Sequence, residues 1–80
     1  MRFVNIGYGN LVSADRIIAV VSNDSAPVKR IMSFAKENGT LIDATQGRKT
    51  HSVIITDSNQ IITSYLTCEA IQNRVEDKNE

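Results

Sequence analysis

Short apolar stretches separated by turn residues predict three strands in the first quarter of the chain. FVNI (3–6) and LVS (11–13) are typical of strands, and GYGN between them predicts a turn because Gly7 and Gly9 accept positive φ. RIIAVVS (16–22) is rich in Ile and Val and apolar on both faces, which predicts a central strand of a sheet.

Residues 23–39 have the signals of a helix. Asp24 or Ser25 can cap its amino end, and Pro27 suits the first turn, where amide donors lack partners anyway. Gly39 is a strong stop signal at the carboxyl end. The apolar residues at i, i+3, i+4 and i+7 predict one buried stripe: Val28, Ile31, Met32 and Ala35.

The second half of the chain predicts three more strands and a short helix. TLIDAT (40–45) is typical of a strand, and HSVIITD with QIITSYL predicts a hairpin about DSNQ. Thr67 is a cap candidate for the helix TCEAIQNRV, and Leu66 can pack on Ile71. The order β-β-β-α-β-β-β-α predicts an α+β fold with a small, largely antiparallel sheet and two helices. We expect residues 1–76 to form a single domain and residues 77–80 a polar tail.

The short chain limits the core that it can bury. Eighty residues form one domain at most, and a lone core of that size is marginal. Cys68 and His51 are the only residues of their types, so neither an intrachain disulfide nor a four-ligand structural zinc site can form. Oligomerisation is therefore the expected aid to stability. The lack of a long apolar run or a signal-peptide pattern predicts a cytoplasmic protein with no membrane partner.

Charge is balanced over the whole chain but unevenly distributed. Nine Lys and Arg residues offset nine Asp and Glu residues, so net charge gives no sign of a nucleic-acid partner. Residues 29–49 hold five basic residues against two acidic ones, whereas residues 69–80 hold two basic against four acidic ones. The middle of the chain is basic and its tail is acidic.

Motifs that support catalysis or cofactor binding in other proteins lack, in this chain, the neighbouring residues and elements that those functions require. GYG lacks the third glycine of a dinucleotide-binding fingerprint, where Val12 stands, and a strand rather than a helix is predicted next. GRKT is similar to part of a P-loop, but Arg48 interrupts its Gly-Lys pair and a strand follows. Nothing in the spacing brings His51 together with Ser13 or Cys68. We therefore expect no enzymatic activity, no cofactor and no metal site.

The segment ATQGRKTHS (44–52) is the one motif that these tests do not dismiss. Strands are predicted on both sides, and Gly47 accepts the left-handed conformation of a hairpin tip from which Arg48 and Lys49 project. Arginine presents a planar fork that bonds phosphate or guanine at two points, and lysine adds a mobile charge. A solvated hairpin tip uses the same residue types, so the residues alone leave both interpretations open.

Long ordered blocks of the sequence resemble the RemA family of bacterial extracellular matrix regulators. The blocks are VNIGYGNLVSADRIIAVVS, SAPVKRIM, LIDATQGRKT and VIITDSNQIITS, which keep the family's order almost without gaps over residues 3–75. The resemblance implies a LytTR-like DNA-binding architecture that assembles into a ring, such as an octamer. It also implies a transcriptional regulator that binds double-stranded DNA at the nucleoid and activates biofilm-matrix genes.

Three basic positions that the family ties to DNA binding carry over to this chain. Arg16 stands in SADR, and Arg48 and Lys49 follow the glycine of DATQGRK. Pro27, in SAP, also matches a position important in the family. We expect the roles of Pro27 and Gly47 to be structural.

The first hypothesis is therefore a ring-shaped homo-oligomer that binds duplex DNA through repeated basic residues. The alternative is an oligomeric protein-interaction module whose basic turn binds an acidic partner. RNA binding by base stacking is a third interpretation, but none of the aromatic residues Phe3, Tyr8, Phe34 and Tyr65 lies in the basic turn of the sequence.

Overall fold

The computed structural model describes residues 2–76, which form six strands and two helices. The strands are β1 (Phe3–Asn5), β2 (Leu11–Ser13), β3 (Ile17–Ser22), β4 (Leu41–Asp43), β5 (Ser52–Thr56) and β6 (Ile61–Ser64). The helices are α1 (Ala26–Asn38) and α2 (Cys68–Glu76), and one 3₁₀ turn (Ala14–Arg16) precedes β3. These elements confirm the predicted α+β class. The predicted polar tail, residues 77–80, lies outside the described residues.

The strands form two sheets. β1 and β2 pair antiparallel, and the other four strands form a sheet of order β3–β5–β6–β4. β5 is antiparallel to both of its neighbours, but β4 runs parallel to β6. The larger sheet is therefore mixed, although mostly antiparallel. Because β6 lies between β4 and β5, residues 44–51 form a crossover from one strand to the other. The prediction that they form the tip of a hairpin is wrong.

The strand predicted to be central, β3, lies at an edge of the four-stranded sheet. Ile17 and Val20 pack into one apolar cluster, and Val21 packs into another on the opposite face. Both faces of β3 are apolar because both faces of the sheet are covered, and this pattern does not require a strand neighbour on each side. A bulge in the pairing with β5 falls at Ile18, whose side chain is 66% exposed. Bulges on edge strands discourage pairing with further strands.

Two apolar clusters form the core, one on each face of the four-stranded sheet. The first lies between the sheet, the β1–β2 pair and α2, and its buried members are Val4, Ile6, Val12, Ala44, Ile54, Ile62 and Ile71. The second lies beneath α1, and its buried members are Val28, Ala35, Val53 and Ile61. Successive residues of β5 serve both clusters because neighbouring side chains of a strand point to opposite faces.

Helix α1 begins as its sequence predicts but buries a narrower stripe. The Ser25 hydroxyl accepts a hydrogen bond from the Val28 amide at 3.3 Å, so Ser25 rather than Asp24 is the cap, and Pro27 lies in the first turn. Met32 packs against the second cluster with the buried residues, but Ile31 is exposed, contrary to the prediction. Ile31 is 38% exposed, so it lies at the edge of the stripe that α1 packs against the sheet.

Candidate nucleic-acid interface

The crossover of residues 44–51 is attached at both ends to the carboxyl end of β6. The Ala44 amide donates to the Thr63 carbonyl at 3.1 Å, and the His51 amide donates to the Ser64 carbonyl at 2.9 Å. The chain therefore leaves the sheet and returns to it at neighbouring positions. Residues 46–49 between these attachments are exposed.

Asp43 holds the base of the crossover in a fixed conformation. Its Oδ1 atom accepts hydrogen bonds from the Thr45 amide at 3.0 Å, the Thr45 hydroxyl at 2.6 Å and the Thr63 hydroxyl at 3.0 Å. The Thr45 hydroxyl, followed by the Thr45 amide and the Thr63 hydroxyl, lowers the pKa of the Asp43 carboxyl because these donors favour its ionised form. The ionised carboxylate thus fixes Thr45, which is buried, at the start of the exposed tip.

The tip itself is a tight turn with left-handed residues at both central positions. Gln46 has φ +55° and Gly47 has φ +82°, and the Arg48 amide donates to the Thr45 carbonyl at 3.0 Å. These features are those of a type I′ turn, in which both central residues have positive φ. Arg48 and Lys49 follow at once on a backbone that the turn holds in place.

Arg48 and Lys49 are the free cations of this site. Both side chains are exposed, and within residues 2–76 neither has an ion-pair or hydrogen-bond partner. An unpaired guanidinium beside an unpaired ammonium is an arrangement suited to an anion with several oxygens, such as a phosphate group. In the same part of the chain, no group of His, Cys, Asp and Glu residues is arranged to hold a metal ion.

Arg16, the third predicted DNA-binding residue, lies at the other end of β5. It is the last residue of the 3₁₀ turn, and its carbonyl accepts from the Asp57 amide at 2.9 Å, directly after β5. The four residue steps of β5 span about 13 Å at the usual rise of a strand. Within one subunit, Arg48 and Lys49 therefore lie near the beginning of β5 and Arg16 lies near its end.

Arg16 is also engaged by a carboxylate. Its Nη1 atom lies 3.2 Å from both Oδ1 and Oδ2 of Asp57. The two side chains are 65% and 43% exposed, respectively, so water screens this ion pair. Any phosphate bound by Arg16 has to compete with Asp57.

An aromatic pair beside the crossover could not be located from the sequence. The His51 Nδ1 atom donates to the Tyr65 carbonyl at 2.9 Å, which joins the crossover to the residue after β6. The Tyr65 ring in turn lies 4.9 Å from the Tyr8 ring, centroid to centroid, with 43° between the planes. The sequence places the tyrosines 57 positions apart and 16 or more from the basic residues of the turn, so only the fold shows that they adjoin it.

The family model and the similar proteins both indicate a regulatory protein. The family model of RemA-like proteins, described as extracellular matrix regulatory protein A-like, matches residues 3–75. A "Putative regulatory protein" of Geobacillus thermodenitrificans is 59% identical over 75 residues, which cover 94% of this chain and 86% of the relative. A similarly named protein of Symbiobacterium thermophilum is 56% identical over 94% of this chain and 79% of its own length. One from a Synechococcus strain is 56% identical over 91% and 82%, respectively.

The matched region includes every residue of the candidate interface. Arg16, the crossover and both tyrosines fall between residues 3 and 75. The helices of residues 2–76 are too short or too polar to cross a lipid bilayer.

Proposed function

The chain belongs to the RemA-like family of extracellular matrix regulatory proteins, and we propose that it regulates transcription by binding duplex DNA as a homo-oligomer. The observation that carries this proposal is the pair of unpartnered cations, Arg48 and Lys49, on the rigid turn of the crossover. The controlled genes are those of the extracellular matrix, in keeping with the description of the family.

The DNA backbone is the ligand that this arrangement suits best. Arginine and lysine neutralise phosphates and release condensed counterions, and this release supplies much of the affinity of proteins for DNA. Within residues 2–76, neither residue forms an ion pair with a carboxylate, and the hydrogen-bonded base of the turn removes the need to order the loop on binding. Neither residue needs to read a base edge, so the turn serves to hold the protein on the duplex.

A single subunit is too weakly charged to bind DNA well, and several subunits are required. The chain has no net charge, and its candidate DNA-binding residues lie at opposite ends of β5. In a ring such as an octamer, with LytTR-like subunits, the Arg16 end of one subunit and the crossover of the next alternate along one belt. Repetition of a weak site raises the overall affinity without any new type of contact.

The apolar surface of the subunit supports such an assembly. Phe3 and Leu11 of the β1–β2 pair and Phe34 of α1 are 58%, 60% and 69% exposed, respectively, so large apolar side chains are available on both sides of the subunit for contacts with other subunits. Burial of these side chains between subunits would also supply the stability that a core of this size lacks.

The test is duplex binding across a salt series, measured by fluorescence anisotropy, with the mass of the oligomer followed by sedimentation equilibrium. Arg48→Ala should weaken binding to specific and random duplexes alike and flatten the slope of log affinity against log salt by about 0.9 per lost phosphate contact. Arg30→Ala, which removes an exposed arginine from α1, is the matched control and should retain more of the affinity. An assembled Arg48→Ala protein with the affinity and slope of the parent would refute the proposal.

The same measurement addresses the alternative function. A protein-interaction module would bind an acidic polypeptide through Arg48 and Lys49 and would leave duplex DNA unbound. Separate titrations with labelled duplex and with a labelled acidic polypeptide distinguish the two functions.

A further inference from the structure

The turn that precedes β2 places a tyrosine where a smaller residue is expected. The Asn10 amide donates to the Gly7 carbonyl at 3.0 Å, and the central residues Tyr8 and Gly9 have φ of +55° and +77°. This is a second type I′ turn, and such turns favour Asn, Asp or Gly at both central positions. A bulky side chain in the left-handed region is strained, and strain of this kind is concentrated at functional sites.

Burial does not account for the presence of Tyr8. Its side chain is 46% exposed, and the apolar clusters of the core do not include it. Within residues 2–76, the one aromatic partner of its ring is Tyr65, at the centroid distance of 4.9 Å. A tyrosine whose role was to pack in the core would be more fully buried. A residue whose only role was to form the turn would be Asn, Asp or Gly.

The surroundings of Tyr8 hold it in a defined position. A Cβ atom on Gly7 would collide with the Tyr65 ring, so only glycine lets that ring lie against the backbone of the turn. Tyr65 is tied to the crossover by the hydrogen bond that His51 donates to its carbonyl. Three segments that are distant in the chain therefore meet at one place: the Gly7–Asn10 turn, the residue after β6 and the crossover.

The position of this cluster relates it to the cations of the candidate interface. Lys49 precedes His51 by two residues, which limits the separation of their Cα atoms to about 7 Å. Tyr8 is connected to that segment through two contacts, the hydrogen bond between His51 and Tyr65 and the ring contact between Tyr65 and Tyr8. The proposal below takes a duplex seated on Arg48 and Lys49 to extend over Tyr8. Tyrosine hydroxyls are among the side-chain groups that donate hydrogen bonds to DNA phosphates.

We propose that Tyr8, positioned by Tyr65, donates a hydrogen bond from its hydroxyl to a phosphate of the duplex that Arg48 and Lys49 bind. This inference rests on the proposed function and adds a neutral contact to a charged site. Because a neutral donor displaces no counterion, its contribution to affinity does not depend on salt in the way that the arginine and lysine contributions do.

The salt series separates this role from that of the cations. Tyr8→Phe keeps the ring and removes only the hydroxyl, so it should weaken duplex binding on the order of tenfold while the slope against log salt stays that of the parent. Tyr65→Phe is the matched control, since the proposal gives its hydroxyl no contact, and it should bind as the parent does. Arg48→Ala, by contrast, should change the slope.

Fluorine NMR gives a second measurement on the assembled protein. The chain has two tyrosines, so labelling with 3-fluorotyrosine gives two resonances, and Tyr8→Phe assigns them. Addition of duplex should shift the Tyr8 resonance in the parent, and it should do so much less in Arg48→Ala at the same DNA concentration.

The outcomes distinguish the two proposals. A parent that binds duplex while Tyr8→Phe retains full affinity and the Tyr8 resonance does not move would overturn the role of Tyr8 alone. A loss of affinity in Tyr65→Phe equal to that in Tyr8→Phe would assign the effect to packing of the pair and would also overturn it. A parent that binds no duplex at all would overturn both proposals.

Discussion

Removal of the ion pair between Arg16 and Asp57 is expected to strengthen the binding of duplex DNA. Asp57→Asn keeps the size and hydrogen-bonding shape of the side chain but removes its charge. In the parent, both carboxylate oxygens lie 3.2 Å from Arg16 Nη1, so a DNA phosphate must displace one anion to reach the arginine. In the variant, no carboxylate competes with the phosphate for Arg16, and the repulsion between the Asp57 carboxylate and the phosphate is removed.

Exposure of the pair sets the size of the expected effect. The side chains of Arg16 and Asp57 are 65% and 43% exposed, and ion pairs of this kind contribute about 0.2–1 kcal/mol. Asp57→Asn should therefore destabilise the fold by less than about 1 kcal/mol. The competition removed from each site is of similar size, so affinity for duplex should rise by a factor of about 1.4 to 5 per engaged subunit. The slope of log affinity against log salt should become steeper, by up to about 0.9 for each Arg16 that gains a phosphate.

The assay is fluorescence anisotropy with one duplex, at several salt concentrations, on parent and variant proteins of equal oligomer mass. Asp24→Asn is the matched control because it makes the same change in net charge at an exposed residue that has no ion-pair partner within residues 2–76. Asp24→Asn should raise the affinity for duplex only slightly, through the change in net charge. If Asp57→Asn gains no more affinity than Asp24→Asn, Arg16 does not lie on the DNA-binding surface.

Three further predictions concern the crossover and the helix start. Gly47→Ala should destabilise the protein by about 1 kcal/mol, because φ at this position is +82° while the space for a methyl group is open; chemical denaturation measures the loss, and Gly47→Asn should be better tolerated. Pro27→Ser should lower stability by roughly 1 kcal/mol by restoring freedom to the unfolded chain, and a variant that melts and assembles like the parent would contradict the structural role of this proline. The lowered pKa of Asp43 means that its hydrogen bonds stabilise the fold above the carboxyl pKa of the unfolded chain, about 4, and that this contribution is lost as pH falls through the lower folded value. Urea unfolding from pH 7 to pH 3 should therefore show a stability advantage of the parent over Asp43→Asn that shrinks on acidification, and an advantage independent of pH would contradict the assignment.

The sequence by itself determined the features that depend on a few neighbouring residues. The capped start of α1 at Ser25, its end at Gly39 and the hairpin about residues 57–60 follow from local φ preferences and side-chain hydrogen bonds, which act in the same way in any tertiary context. The left-handed conformation of Gly47 belongs to the same class, because it concerns the steric freedom of one residue. The α+β class could likewise be predicted, since the change from strand to helix periodicity is visible along the chain.

Only the tertiary structure decided which segments became neighbours. An apolar strand such as β3 has the same pattern at the edge of a sheet covered on both faces as at its centre, so its position could not be predicted. The parallel pairing of β4 with β6 turned an expected hairpin into a crossover, and it did so through hydrogen bonds between residues about 20 positions apart. The separation of Arg16 from Arg48 follows from the antiparallel pairing of β3 with β5, and the contact between Tyr8 and Tyr65 follows from the packing of the β1–β2 pair near the end of β6. Such contacts between distant residues depend on how whole elements pack and not on the preferences of any one residue.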